Sequence, residues 1–141
     1  MVKSIFCVNN AATATDAGIL IARVGIGVFM LAHGYPKLQA LLSDAPVEFR
    51  SVMGLSPTVS LTLAVFSEFF CSLLVIIGLA TRLAVIPLAI TMLVAALHVH
   101  GADPFSSKEK ALLYLTVYLM LLLTGSGKFS LDALLYKRGG G

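Results

Sequence analysis

Two ionisable side chains stand inside stretches that are otherwise apolar. They are Arg23, within Ile19 to Ala32, and Glu68, within Thr58 to Ala80. A charge deep in a membrane-spanning helix is costly, so such residues face a bundle interior, pair with one another or mark a functional path. Counted from the connection that joins the two runs, with His33 and Pro57 as its ends, each lies roughly 15–16 Å deep at 1.5 Å per residue. The expectation is an Arg23–Glu68 ion pair near the membrane midplane. Two roles fit it. One is a buried pair that fixes helix packing while adding little stability. The other is chemical: a carboxylate beside a cation can accept or relay a proton, or hold a ligand head group.

Histidines and tyrosines form a second group. His33 ends the first apolar run, and His98 and His100 end the third. Those runs cross in the same direction, so the three imidazoles are expected at one membrane face, above Arg23 and Glu68. Tyr114 and Tyr118, one turn apart, descend from that face on the fourth run, and Thr91 lies two turns below His98. His33, Lys37, His98, Tyr114 and Tyr118 are therefore the candidate ligand-binding residues. Imidazole is a common metal ligand, which makes His33, His98 and His100 weak metal candidates. Interfacial polar residues at helix ends are the commoner explanation, and His98 and His100 point about 200° apart on a regular helix. No metal site is assigned. Cys7 and Cys71 fit neither a zinc nor a CxxC spacing, and Cys71 reads as a packing thiol.

The elements that carry these residues follow from composition. Of 141 residues, 58% are hydrophobic and only 12% charged, against about 25% charged in a soluble domain. The mean hydropathy is +0.96. A water-facing surface of ordinary polarity cannot be built from this chain, which argues against a soluble enzyme, a nucleic-acid binder or a disordered segment. The net charge of +3 is scattered and resembles the Lys/Arg excess of membrane-protein loops. Four runs approach the roughly 17–25 residues of a transmembrane helix. They give one all-α domain over residues 1–138, an integral membrane four-helix bundle with spans near 14–33, 57–80, 83–100 and 108–126. Residues 139–141 are a tail. The runs lack period-two alternation, so a strand reading fails. The first run starts too late, and without a small-residue cleavage site, for a cleavable signal peptide.

The connections refine this plan. Thr81-Arg82 alone separates the second and third runs, a tight helical hairpin. The stretch from Gly34 to Ser56 contains Tyr35 to Leu42 and Val47 to Met53, both mixing apolar and charged residues at helical spacing. These predict short interfacial helices between the first and second spans, with an exposed loop as the alternative. Four spans put both termini on one side, with Lys3, Arg82, Lys128, Lys137 and Arg138. Lys37, Arg50, Lys108 and Lys110 face the other. The small surplus favours cytoplasmic termini. Gly18, Gly25 and Gly27, and the Ser60, Ser67, Cys71, Gly78 stripe, read as close helix packing. Pro87 predicts a kink near the depth of Arg23 and Glu68.

Arg23, then Gly27 and Ala32-His33-Gly34-Tyr35-Pro36-Lys37-Leu38, together with Glu68, Leu73-Leu74 and Gly78-Leu79-Ala80-Thr81-Arg82-Leu83, resemble the DoxX family of small bacterial four-helix membrane proteins. The resemblance runs from about Arg23 to Gly125. By position, Arg23, His33, Gly34, Lys37, Glu68 and Arg82 match the family pattern. The resemblance implies a multi-pass protein of the bacterial inner (cytoplasmic) membrane. It also implies a link to thiosulfate–quinone oxidoreductase and quinol oxidase systems, in which members are labelled oxidoreductases or quinol oxidase subunits. Others are associated with oxidative-stress or copper-related operons.

The chain has no haem-attachment motif, flavin or nucleotide fingerprint, or CxxC. Redox chemistry would therefore need a quinone or a partner to carry the electrons. Three functional readings follow. In the first, a redox-associated, quinone-linked subunit uses Glu68 and Arg23 as its catalytic pair, with other membrane or soluble redox subunits as partners. In the second, a non-catalytic scaffold or accessory subunit sits in a larger complex or a homo-oligomer. The third is copper handling at the histidine-bearing face.

Overall fold

The computed structural model describes residues 12–139. Among them are five helices and no strand: α1 Ala12–Leu42, α2 Pro57–Ile77, α3 Thr81–Val99, α4 Phe105–Thr124 and α5 Leu131–Gly139. Cys7 and Lys3 of the sequence reading, and the end of the 139–141 tail, lie outside the described residues. Three helices, α1 to α3, are long and apolar enough to cross a membrane.

α1 buries Ile19, Arg23, Gly27, Met30 and Gly34, a stripe spaced by three and four residues that marks one helical face. The opposite side exposes Ile21 and Phe29 at 74% and 63%. Leu63 of α2, Leu97 of α3 and Leu113 and Leu123 of α4 are exposed in the same way. A belt of large apolar side chains around α1 to α3 is a lipid-facing surface rather than a soluble one, and α4 exposes leucines as well. Inside it, Met30, Val75, Val85, Leu88, Tyr118 and Leu121 are fully buried.

α2 begins at Ser56, whose Oγ accepts from the Val59 N–H at 3.3 Å, and Pro57 occupies the first turn, where its missing N–H leaves nothing unpaired. The helix ends at Gly78, in the left-handed region at φ 73°, with the Gly78 and Leu79 N–H groups both returning to the Leu74 carbonyl. Two helices change pitch on the way. Phe66–Cys71 of α2 and Ala95–Val99 of α3 are π-helical, a rare local winding that recurs at functional sites.

Two expectations for the first connection are corrected. The helix expected to end near residue 33 continues through Pro36 to Leu42, so Tyr35 to Leu42 is the end of α1 and not a separate interfacial helix. Val47 to Met53 is not helical. The cause is lateral packing. Gly34 and Lys37 bind this end of α1 to α2, and neighbouring helices let a proline sit inside a membrane helix. The connection itself is held by the Val52 N–H on Ser60 Oγ at 3.1 Å and by Arg50 on the Val99 carbonyl at 3.2 Å.

A short helix does lie at the opposite end of the bundle. α5 carries Asp132 in its first turn and Lys137 and Arg138 in its last, with Tyr136 86% exposed. That charge order matches the helix dipole.

Candidate functional site

Glu68 sits in the π-helical part of α2, and only 5% of its side chain is exposed. Its partner is Lys37, whose Nζ donates to Oε1 at 2.6 Å and to Oε2 at 2.5 Å. Gly34 makes the contact accessible. A Cβ at that position would stand 2.6 to 2.8 Å from the Glu68 backbone C and O and the Phe69 N, so only glycine lets α1 approach α2 this closely. Lys37 then lies one turn further along and reaches down onto the carboxylate. Thr91 holds the same segment from α3, with its Oγ1 2.7 Å from Ser67 Oγ and 2.8 Å from the Pro87 carbonyl.

The pair opens on a cleft of about 470 Å³ among α1, α2, α3 and α4. Met30, Met92, Ala95 and Ala111 supply apolar wall, while His33, Tyr114, His100 and Lys110 supply polar groups. The His33 and Tyr114 rings meet edge to face, 6.1 Å between centroids. Tyr118 is fully buried one turn deeper, its ring 6.2 Å from that of Tyr114. Two lysines and one carboxylate line the cleft, so with neutral imidazoles it carries a surplus of one positive charge. Eight of the twelve lining residues are polar or ionisable, and a concave cleft on which polar groups converge is a candidate small-molecule site.

The Arg23–Glu68 pair is corrected. Arg23 is buried at 2% exposure, but its guanidinium donates to the Ser126 carbonyl at 2.6 Å and the Phe129 carbonyl at 2.7 Å. Its level on α2 is Gly78, where a Cβ would collide with the guanidinium, whereas Glu68 lies level with Gly34. Arg23 and Gly34 are eleven residues apart on one helix, about 16 Å. The depth count failed because α1 does not end at His33. Counting from Leu42 moves Arg23 to the far end of the bundle.

That far end is a hydrogen-bonded junction. Asp132 of α5 accepts from the N–H groups of Ala80 at 2.8 Å and Thr81 at 3.3 Å, capping α3 from a distant part of the chain. Arg82 donates to the Leu123 carbonyl at 3.1 Å, at the open end of α4. Asp16 accepts from the Lys128 N–H at 3.0 Å. The start of α1, the α2–α3 hairpin and the entry to α5 therefore share one end of the bundle.

The histidines are not gathered. His33 faces Tyr114, His100 Nδ1 stands 2.7 Å from Asp103, and His98 Nε2 meets the Met53 N–H at 3.4 Å, away from the cleft. Among the described residues no three His, Cys, Asp or Glu side chains are placed to share a metal ion. The structure thus brings Glu68, Lys37, His33 and Tyr114 together, leaves Tyr118 behind them, and separates Arg23 and His98. The sequence reading missed Lys110, Ser106 and Ser107 at the cleft rim, Met30 and Met92 in its wall, and His100 as a lining group. Lys108 to Lys110, just ahead of an uncharged run, was the available signal for a charged rim.

An apolar helical bundle with its buried ion pair set among the helices defines an integral membrane protein. The chain belongs to the DoxX family, whose model matches residues 18–101. The match includes Arg23, His33, Lys37, Glu68 and Arg82 and stops before α4. The chain is 31% identical over 123 residues to the Bacillus subtilis (strain 168) protein named "Putative oxidoreductase CatD", covering 86% of this chain and 90% of that one. It is 30% identical over 127 residues to "Inner membrane protein YqjF" of Escherichia coli (strain K12), covering 87% and 95%. No solved structure matches at the same level of significance.

Proposed function

We propose that the protein is a redox-associated subunit of the bacterial inner membrane that takes a quinone-class ligand in the cleft beside Glu68. One observation carries the reading: a buried carboxylate, paired with a single ammonium, opens on a cleft of about 470 Å³ with an apolar wall. Reduction of a quinone adds two electrons and two protons. The chain offers no electron carrier of its own, so electrons come from a partner. Glu68 exchanges protons with the ligand, Lys37 rather than Arg23 sets its charge balance, and His33 and Tyr114 hydrogen-bond the ring oxygens. The surplus positive charge of the cleft favours the anionic, reduced form of such a ring. The oxidoreductase name of the Bacillus subtilis relative agrees with this role.

In this reading α4 is the fourth span. Its 20 residues reach about 30 Å, with Lys108 to Lys110 at the water-facing end. The lysine and arginine surplus supports cytoplasmic termini, with α5 on the same side.

The deciding experiment is Glu68→Gln in purified protein supplied with its redox partner fraction and a soluble quinone. Quinone-dependent turnover is expected to fall at least a hundredfold while quinone binding persists, in line with loss of a general acid–base group. Undiminished turnover would remove Glu68 from the chemistry. A scaffold role is the second reading, favoured by Arg23, whose Nη1 and Nη2 both donate to backbone carbonyls. It predicts no quinone binding at all.

A further inference from the structure

Lys37 belongs to the walls of two cavities. One is the cleft. The other, of about 460 Å³, lies under the connection between α1 and α2, bounded by Pro36, Ala40, Val47, Glu48, Phe49 and Leu61. Glu68 lines the first and not the second. The Lys37 ammonium stands between them, 2.5 and 2.6 Å from the two Glu68 oxygens and 5.9 Å from the centroid of the Phe49 ring. Glu48 is exposed at the outer side, and Leu61 closes the floor at 2% exposure.

We infer that the second cavity is a proton vestibule. Water enters it at the end of the bundle, Glu48 collects protons at its mouth, and Lys37 passes the route on to Glu68. This rests on the reading of Glu68 as the proton-exchanging group. Three observations lead to it.

A ligand seated in the cleft covers Glu68 from that side, so a carboxylate that gives up a proton must be resupplied from elsewhere. The second cavity reaches the pair through Lys37 alone. It also has room for water, and Lys37, Ser43 and Glu48 offer hydrogen-bond partners. The third observation is the position of Lys37 near an aromatic face, which stabilises an ammonium turned away from the carboxylate. When Glu68 takes a proton its attraction for Lys37 weakens, and the ammonium moves toward Phe49. The step balances without electrons. Lys37 Nζ passes a proton to the Glu68 oxygen it bonds and takes one back from vestibule water, the neutral carboxyl delivers its proton to a ligand oxygen, and the carboxylate reforms its pair with the reprotonated ammonium.

The test uses the full-length protein in lipid nanodiscs with Cys7→Ser and Cys71→Ala as background. Lys37→Cys is labelled with a small cationic methanethiosulfonate. The rate is expected to fall at least tenfold when Ala40→Trp fills the second cavity, and to hold when Ser106→Trp narrows the cleft mouth. Slowing by Ser106→Trp alone, or no labelling in either background, overturns the vestibule. Should Lys37→Cys fail to fold, reductive methylation of the native Lys37 amine, followed by mass spectrometry in the same two tryptophan variants, gives the same reading. Labelling that obeys Ala40→Trp while Glu68→Gln leaves turnover intact would keep the water route and overturn its use for protons. Glu48→Gln completes the test. It is expected to slow turnover about tenfold with ligand affinity unchanged and a larger solvent isotope effect, and an unchanged rate would remove Glu48 from the route.

Discussion

One ammonium, that of Lys37, holds both oxygens of Glu68 within 2.6 Å across the α1–α2 interface. The pair is unequal in its surroundings, since the Lys37 side chain is 31% exposed and that of Glu68 only 5%. Loss of the lysine therefore strands a buried charge, whereas loss of the carboxylate leaves a cation able to turn toward Phe49.

A double-mutant cycle should show this asymmetry. Lys37→Met is expected to destabilise the protein by about 3–5 kcal/mol, the cost of an uncompensated buried charge. Lys37→Met with Glu68→Gln should recover most of that. Unfolding midpoints in mild detergent provide the measurement, and additive single effects would show that the two side chains do not interact.

Arg23 should respond to substitution in a different part of the molecule. Arg23→Gln removes the charge-assisted bonds to the Ser126 and Phe129 carbonyls, and Arg23→Lys cannot reproduce a two-pronged planar donor. Both should raise the rate of limited proteolysis between Gly125 and Leu131 by about tenfold or more. Exchanging Arg23 and Glu68 should give no rescue. Recovery of stability in that exchange would restore a direct pair between them.

The glycines of α1 should divide sharply. Gly34→Ala places a methyl group against the Glu68 backbone and should cost about 1–3 kcal/mol through overpacking, with the cleft residues displaced as well. A Cβ on Gly25 meets nothing within 4 Å, and Gly25→Ala should gain about 0.5–1 kcal/mol from helix propensity. Thermal midpoints of the two variants decide the matter, and equal effects would argue against a close approach at Gly34.

Metal content offers a fourth check. With His33, His98 and His100 facing three different partners, protein purified under copper or zinc supply should carry no metal that His98→Ala removes. Stoichiometric, His98-dependent metal in elemental analysis would mean that the histidines converge after all.

The fold class was legible because it depends on composition: too few charges to face water, gathered between apolar runs. The identity of the ion pair was not. Pairing depends on the register between helices, and register here is set by Gly34 and Gly27 letting α1 close on α2. A single glycine among several carries no label saying which one touches a neighbour. Pro36 and Lys37 looked like the end of a span because a proline and a charge usually are one. Their retention in α1 depends on Glu68, thirty-one residues away. The π-helical turns were equally hidden, since nothing in Phe66 to Cys71 or Ala95 to Val99 departs from ordinary helical composition. α5 left a clearer trace. Ser130, Asp132 and the closing Lys137-Arg138 form a start-and-stop pattern for a short helix, overlooked because it lay beyond the last apolar run.

The carbonyls that receive Arg23 lie 103 and 106 residues further along the chain. At about 5–20 residues per second of synthesis, the guanidinium waits on the order of 5–20 seconds for them after Arg23 itself is made. During that interval the first helix holds a charge with no permanent partner, and residues 126–132 are still to be made. Biogenesis is therefore ordered from the rear: α1 can settle at its final depth only once residues 126–129 have been made. Proteins released early by truncation after α4 would keep every apolar helix and still lack the groups that fix the first one in place.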